Sequence, residues 1–109
     1  IMKELLKSVQ TLTAEELARS YEKFPKFNSP HEGYAVIAEE IDELRDEFEG
    51  SDNIQRSAEW LWHCVKHNSK YSVNAVEQLK AAAIRSAAEA IQVAAMAQKY
   101  IDSLGGEQK

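Results

Sequence analysis

PHEGYAVIAEEIDELRDEFE, residues 30–49, decides how this chain is read, because two kinds of residue separate on one helical wheel. Tyr34, Ile37, Ile41, Leu44 and Phe48 recur three and four apart, the spacing of an apolar helix face that requires a partner helix. The same stretch carries eight carboxylates against the single Arg45, a formal charge of -7, whereas the whole chain is only -5. The negative charge is therefore local. Glu40 and Glu43 stand one turn apart on a row bordering the apolar face, where like charges oppose folding unless a cation lies beside them.

Working outward, Ser29, Pro30 and Glu32 write the start of this helix: an N-cap hydroxyl, a proline at the first helical position and a glutamate three residues after the cap. It is expected to end near Gly50, where Gly-Ser-Asp-Asn offers a left-handed cap and a turn. Upstream, Thr13 and Glu16 form a capping-box pattern that predicts a helix start, with Leu17, Tyr21 and Phe24 on its apolar face. Met2, Leu5, Leu6 and Val9 have helical spacing in a short preceding segment, and Pro25 and Pro30 bracket a loop. Downstream, a third helix over about 53–67 is expected to bury Ile54, Ala58, Leu61, Trp62 and Val65. The pattern weakens over 68–72. A last helix over about 73–104, stopping at Gly105-Gly106, carries the stripe Val76, Leu79, Ala83, Ala87, Ile91, Ala94, Gln98 and Ile101.

No alternating β-branched run predicts a strand, so the fold class is all-α. Short connections make the helices mostly antiparallel, and a four-helix bundle in a single domain over 1–109 is the simplest arrangement. The last helix reaches about 45 Å, longer than its neighbours cover, which predicts a homodimer or homotetramer. A content of 44% hydrophobic and 28% charged residues argues against disorder. No apolar run approaches the roughly 20 residues of a membrane span, and the beginning lacks the order of a signal peptide. Cys64 is the single cysteine and has no disulfide partner, so the expected compartment is cytoplasmic, without a membrane. The net negative charge counts against nucleic acid as the partner.

Glu39-Glu40-Ile41-Asp42-Glu43 is an E-E-x-x-E pattern, and Glu89-Ala90-Ile91-Gln92 repeats the i, i+3 spacing on the last helix. Two such pairs on facing helices can present four oxygen ligands to one space, a donor set that suits Mg²⁺, or Mn²⁺ in its place. The bland alternative is a solvated acidic helix face. Both blocks in order, HEGYAVIAEEIDEL from His31 and EAIQVAAMAQKYIDSL from Glu89, resemble the MazG-like all-α nucleoside triphosphate pyrophosphohydrolases, in particular short phage and bacterial members. The resemblance covers about a third of the chain.

That resemblance implies Mg²⁺ held by Glu40, Glu43 and Glu89, with Gln92 at the fourth ligand position and Glu39 as a further ligand or the group that orients the attacking water. The implied reaction converts a nucleoside triphosphate, ribo or deoxy, to the monophosphate and pyrophosphate. Gln92 departs from the family pattern, which has Asp there, and offers a neutral carbonyl oxygen instead of a carboxylate. A helical binding or assembly module that keeps the fold without turnover is the alternative. Arg85, Lys80 and Lys99 are the candidate phosphate contacts, Arg85 equally as a plain charge pair with Glu89. His63 and His67, i and i+4 with His31 elsewhere, are read as surface residues before a transition-metal site, Trp60 and Trp62 as packing before base stacking, and Cys64 as a buried apolar residue.

Overall fold

The computed structural model describes residues 1–50 and 52–105, and these form four α-helices with no strand among them: α1 (Met2–Lys23), α2 (Pro30–Glu49), α3 (Ile54–Lys66) and α4 (Ser72–Leu104). The chain divides into two compact units, Ile1–Ile41 with Ala90–Lys109 and Asp42–Glu89. Both α2 and α4 run unbroken through the division.

In the first unit, α1 does not begin at Thr13. The Thr13 hydroxyl donates to Val9 O at 2.8 Å, and Thr11 and Ser8 turn back in the same way onto Lys7 O and Glu4 O. These hydroxyls sit inside a helix already running, because the Lys, Glu and Leu residues before them are good helix formers. The helix stops at Phe24, which is extended (φ -140°, ψ 119°) as a residue before proline tends to be. Phe24 thus leaves the expected apolar face and is 71% exposed.

Ser29 caps α2 as its sequence predicts, its Oγ accepting Glu32 N–H at 3.1 Å. The Glu32 carboxylate accepts from Asn28 Nδ2 at 3.2 Å, and no reciprocal bond to Ser29 N–H accompanies it, so the capping box is half formed. Gly33 fixes which side of α2 turns inward: a Cβ there would lie 2.5 Å from Tyr100 Cδ2 and 3.2 Å from Phe27 Cδ2. The inward residues of this stretch are Gly33, Val36 and Ile37, around a core of Phe27, Ala95 and Met96 with Leu17 and Tyr100. Tyr34 and Ile41 of the expected stripe are exposed. Phe27, in the loop between prolines, is buried and donates its N–H to Ser103 Oγ at 3.1 Å.

In the second unit, Asn53 caps α3, accepting Arg56 N–H at 2.7 Å. The inward residues of α3 are Ile54, Ser57, Leu61 and Cys64, whereas Ala58, Trp62 and Val65 face outward, contrary to the stripe expected. Ser57 is drawn in because its Oγ accepts from Gln78 Nε2 at 2.9 Å. Phe48, at the end of α2, is likewise exposed. Gly50 donates to Asp46 O at 2.8 Å without a positive φ, so the expected left-handed cap is not at this glycine. The left-handed residue is Asn68 (φ 51°), a side chain that tolerates that region. Ser51 and Gly106 of the expected stops lie outside the described residues.

On α4 the buried residues are Ala75, Ala82, Ala95, Met96, Lys99 and Leu104, while Val76, Ala83, Ala87, Ala94, Gln98 and Ile101 are exposed. Of the expected stripe, Leu79 and Ile91 are half-buried. The register is rotated by about one position because an alanine-rich helix has no strong apolar side. Polar tethers select the face: Gln78 to Ser57 in one unit, Lys99 to Ser20 in the other.

Candidate functional site

Glu43, on the last part of α2, and Glu89, on α4, bring carboxylate oxygens within 4.8 Å of each other in the second unit. Two ligands opposite each other on an octahedral Mg²⁺ stand about 4.2 Å apart, so this spacing is near what such an ion requires. Glu89 is half-buried, and its Oε2 is without a hydrogen-bond partner among the described residues. Desolvation pushes its carboxyl above the ordinary range, and the charges of Glu43 and Glu47 push it further the same way. Glu47 is held in turn by Arg85, whose Nε lies 2.8 Å from Glu47 Oε2 and whose Nη2 donates to Asp52 O at 3.1 Å. Arg85 is therefore paired across to α2, and its partner is Glu47 where the sequence suggested Glu89. Glu47 was missed as a site residue because every position around it is acidic, and only its contact with Arg85 distinguishes it.

Glu40 lies one turn before Glu43 on the same continuous helix and is half-buried, whereas Glu39 beside it is exposed. Glu40 belongs to the first unit, where it lines a cleft of about 310 Å³ with Glu16, Arg19, Lys23, Phe24, Gln92 and Met96. The cleft mixes carboxylates, two cations, an exposed aromatic ring and a thioether. Gln92, one turn after Glu89 on α4, donates Nε2–H to Glu16 Oε1 at 2.8 Å. Glu16 Oε2 accepts from Arg19 at 2.8–2.9 Å. The bond from Gln92, then those from Arg19, hold the Glu16 carboxyl below its ordinary range despite partial burial. Glu16 was read from sequence as a helix cap, and its place in this cleft depends on the continuity of α1, which moved it from a first turn to mid-helix.

The remaining candidates separate. Lys80 is exposed. Lys99 is 2% exposed and donates to Ser20 Oγ at 2.8 Å and Phe24 O at 2.7 Å, with Tyr21 and Phe27 rings 5.4 and 5.1 Å from Nζ. It thus caps the carbonyl end of α1, where a cation opposes the helix dipole, and its ammonium is not presented to a phosphate. Desolvation lowers its pKa, opposed by the charge of Glu32. The His63 and His67 rings lie tilted by 50° with centroids 4.5 Å apart on the exposed side of α3, and no third His, Cys or carboxylate gathers with them among the described residues. Trp60 and Trp62 are exposed, the latter under the Lys66 ammonium at 5.5 Å, so neither packs into a core of this chain. Cys64 is buried, as an apolar residue would be.

Neither a family model, nor a curated protein, nor a solved structure matches the chain. The functional reading therefore rests on the residues themselves.

Proposed function

We propose that the chain is a Mg²⁺-dependent nucleoside triphosphate pyrophosphohydrolase of the MazG-like kind, working in the cytoplasm as a homodimer or homotetramer of four-helix bundles. The observation that carries this reading is Glu89: a half-buried carboxylate with an orphaned oxygen, set against Glu43. An arrangement that raises the pKa of an acid by burial and like charge is stabilised by a divalent cation. The donor set is all oxygen, which fits Mg²⁺ or Mn²⁺.

The resemblance assigns the ion to Glu40, Glu43 and Glu89, with the Gln92 carbonyl as the fourth protein oxygen, and of these Glu43 and Glu89 share the second unit. When bound, such an ion neutralises phosphate oxygens and acidifies a water. The chain's own residues do the rest. Glu39, exposed on the same helix, accepts the proton of the water that attacks the α-phosphorus as the bond to pyrophosphate breaks. In the first unit, the cleft beside Glu40 offers the cations Arg19 and Lys23 and the apolar side chains Phe24 and Met96. Lys80 is free to meet phosphate, whereas Arg85 keeps Glu47 in place.

A second reading has one observation in its favour. Gln92 is uncharged and its amino group is engaged by Glu16, which suits a helical assembly module without turnover. Pyrophosphate release from a panel of ribo- and deoxynucleoside triphosphates with Mg²⁺ separates the two. The enzyme reading expects release with at least one, and a loss of about 100-fold or more in Glu43→Gln, the upper end of what even a ligand's supporting residue costs. Absence of release from every triphosphate leaves the assembly module.

A further inference from the structure

The proposed reaction leaves the histidines unused, and two of the three stand together. His63 lies in the last turn of α3 and His67 is its C-cap, both within the second unit and both exposed. Residues four apart meet on one helix face, and His67 N–H donates to His63 O at 3.2 Å, which ties the second backbone position to the first. The ring centroids are 4.5 Å apart. Metal–imidazole bonds are about 2.0–2.1 Å and a ring centre lies about 1.1 Å beyond its nitrogen, so two imidazoles at a right angle on one ion have centres about 4.4 Å apart, against about 5.1 Å at the tetrahedral angle. The spacing fits the right angle, which belongs to Cu²⁺ and Ni²⁺ and not to tetrahedral Zn²⁺. The surroundings also suit a cation. Both residues stand at the carbonyl end of α3, the negative end of the helix dipole, and the neighbouring ammonium groups of Lys66 and Lys70 sit over the Trp62 and Tyr71 rings at 5.5 and 5.3 Å.

We propose that His63 and His67 together chelate one divalent ion of the Cu²⁺ or Ni²⁺ kind on the surface of α3, each giving one ring nitrogen, with water at the ion's other positions. Imidazole donors separate this site from the carboxylates of Glu43 and Glu89, whose oxygens suit Mg²⁺ or Mn²⁺.

The test is isothermal titration of Ni²⁺ into the full chain, Ni²⁺ being the probe because, unlike Cu²⁺, it is not reduced by thiols. One equivalent is expected to bind, and to bind at least tenfold more weakly in His63→Ala and in His67→Ala, the least that even a ligand's supporting residue costs. Because the chelate is lost once either ring is gone, the double variant should be little weaker than either single one. Val65→His with His67→Ala keeps the number of histidines but sets two of them two positions apart, where side chains do not face each other, and is expected to bind no better than His67→Ala. His31→Ala should leave the affinity unchanged. All these positions are exposed, and circular dichroism checks that each variant folds. Zn²⁺ at equal concentration is expected to displace less than half of the Ni²⁺, and displacement of most of it would overturn the right-angled geometry. No binding by the wild type, unchanged affinity in either single variant, recovery in the shifted pair, or a loss in His31→Ala as large as in His63→Ala would each overturn the proposal. Glu89→Gln should not alter Ni²⁺ binding, so this site stands or falls apart from the carboxylates.

Discussion

Two ionisable residues withdrawn from solvent, Glu89 in part and Lys99 fully, carry opposite meanings. Among the described residues Glu89 forms no ion pair: the carboxylates of Glu43 and Glu47 act on it, and its Oε2 has no hydrogen-bond partner. Its folded pKa lies above the ordinary 4.5, so between those two values the folded state binds more proton than the unfolded state. The resulting penalty is absent below pH 4.5, grows as pH rises through the folded pKa and is complete above it. Glu89→Gln is accordingly expected to raise Tm in metal-free buffer at pH 7, with the gain vanishing towards pH 4, as followed by circular dichroism. Lys99 instead donates two hydrogen bonds, to Ser20 Oγ and Phe24 O, so its burial serves the packing of α1. Lys99→Ala should cost about 2–4 kcal/mol in urea unfolding, the range for emptying a buried site of that size. Lys99→Met, which refills the space, should cost less. Equal losses for the two would show that the ammonium, and not the volume, is what the fold uses.

At the scale of elements, α2 shows how far a sequence can be read. Its ends were legible because Ser29 and Pro30 encode the start locally, and its class was legible because apolar residues three and four apart have no other economical explanation. Its rotation was not legible. Tyr34, Ile41 and Phe48 and the inward residues Ile37 and Leu44 are all apolar, and the choice among them depends on Gly33 meeting Tyr100, a contact 67 positions away. The same limit explains α4, whose alanines give nearly the same burial on any face, and α3, where Ser57 is taken inward by a hydrogen bond to Gln78. Of the candidate site, the acidic pairs on α2 and α4 were legible from spacing, and the choice of Glu40, Glu43 and Glu89 among them came from the resemblance, but Glu16 and Glu47 depend on partners on other helices. Gly33→Ala tests the account of α2: the new Cβ forces the Tyr100 ring to move, and although alanine favours helix, a net loss of about 1–3 kcal/mol is expected in denaturant unfolding. A neutral or stabilising effect would mean that Gly33 does not set the rotation.

At the scale of the whole molecule, Tyr34, Ile41 and Phe48 are exposed seven residues apart along one line of α2, the repeat by which helices seam together. Self-association through this line predicts a dimer or tetramer at micromolar concentration in sedimentation equilibrium, reduced to monomer by Tyr34→Glu with Phe48→Glu. A monomeric wild type would remove that expectation and leave the apolar line for another partner. The central claim is narrower than any of these: that Glu89, half-buried and set against Glu43, is there to bind a divalent cation. Isothermal titration of Mn²⁺ into the wild type and into Glu89→Gln tests it most directly. Saturable binding by the wild type that is lost in the variant is the result predicted, and either no binding by the wild type or equal binding by both would contradict it.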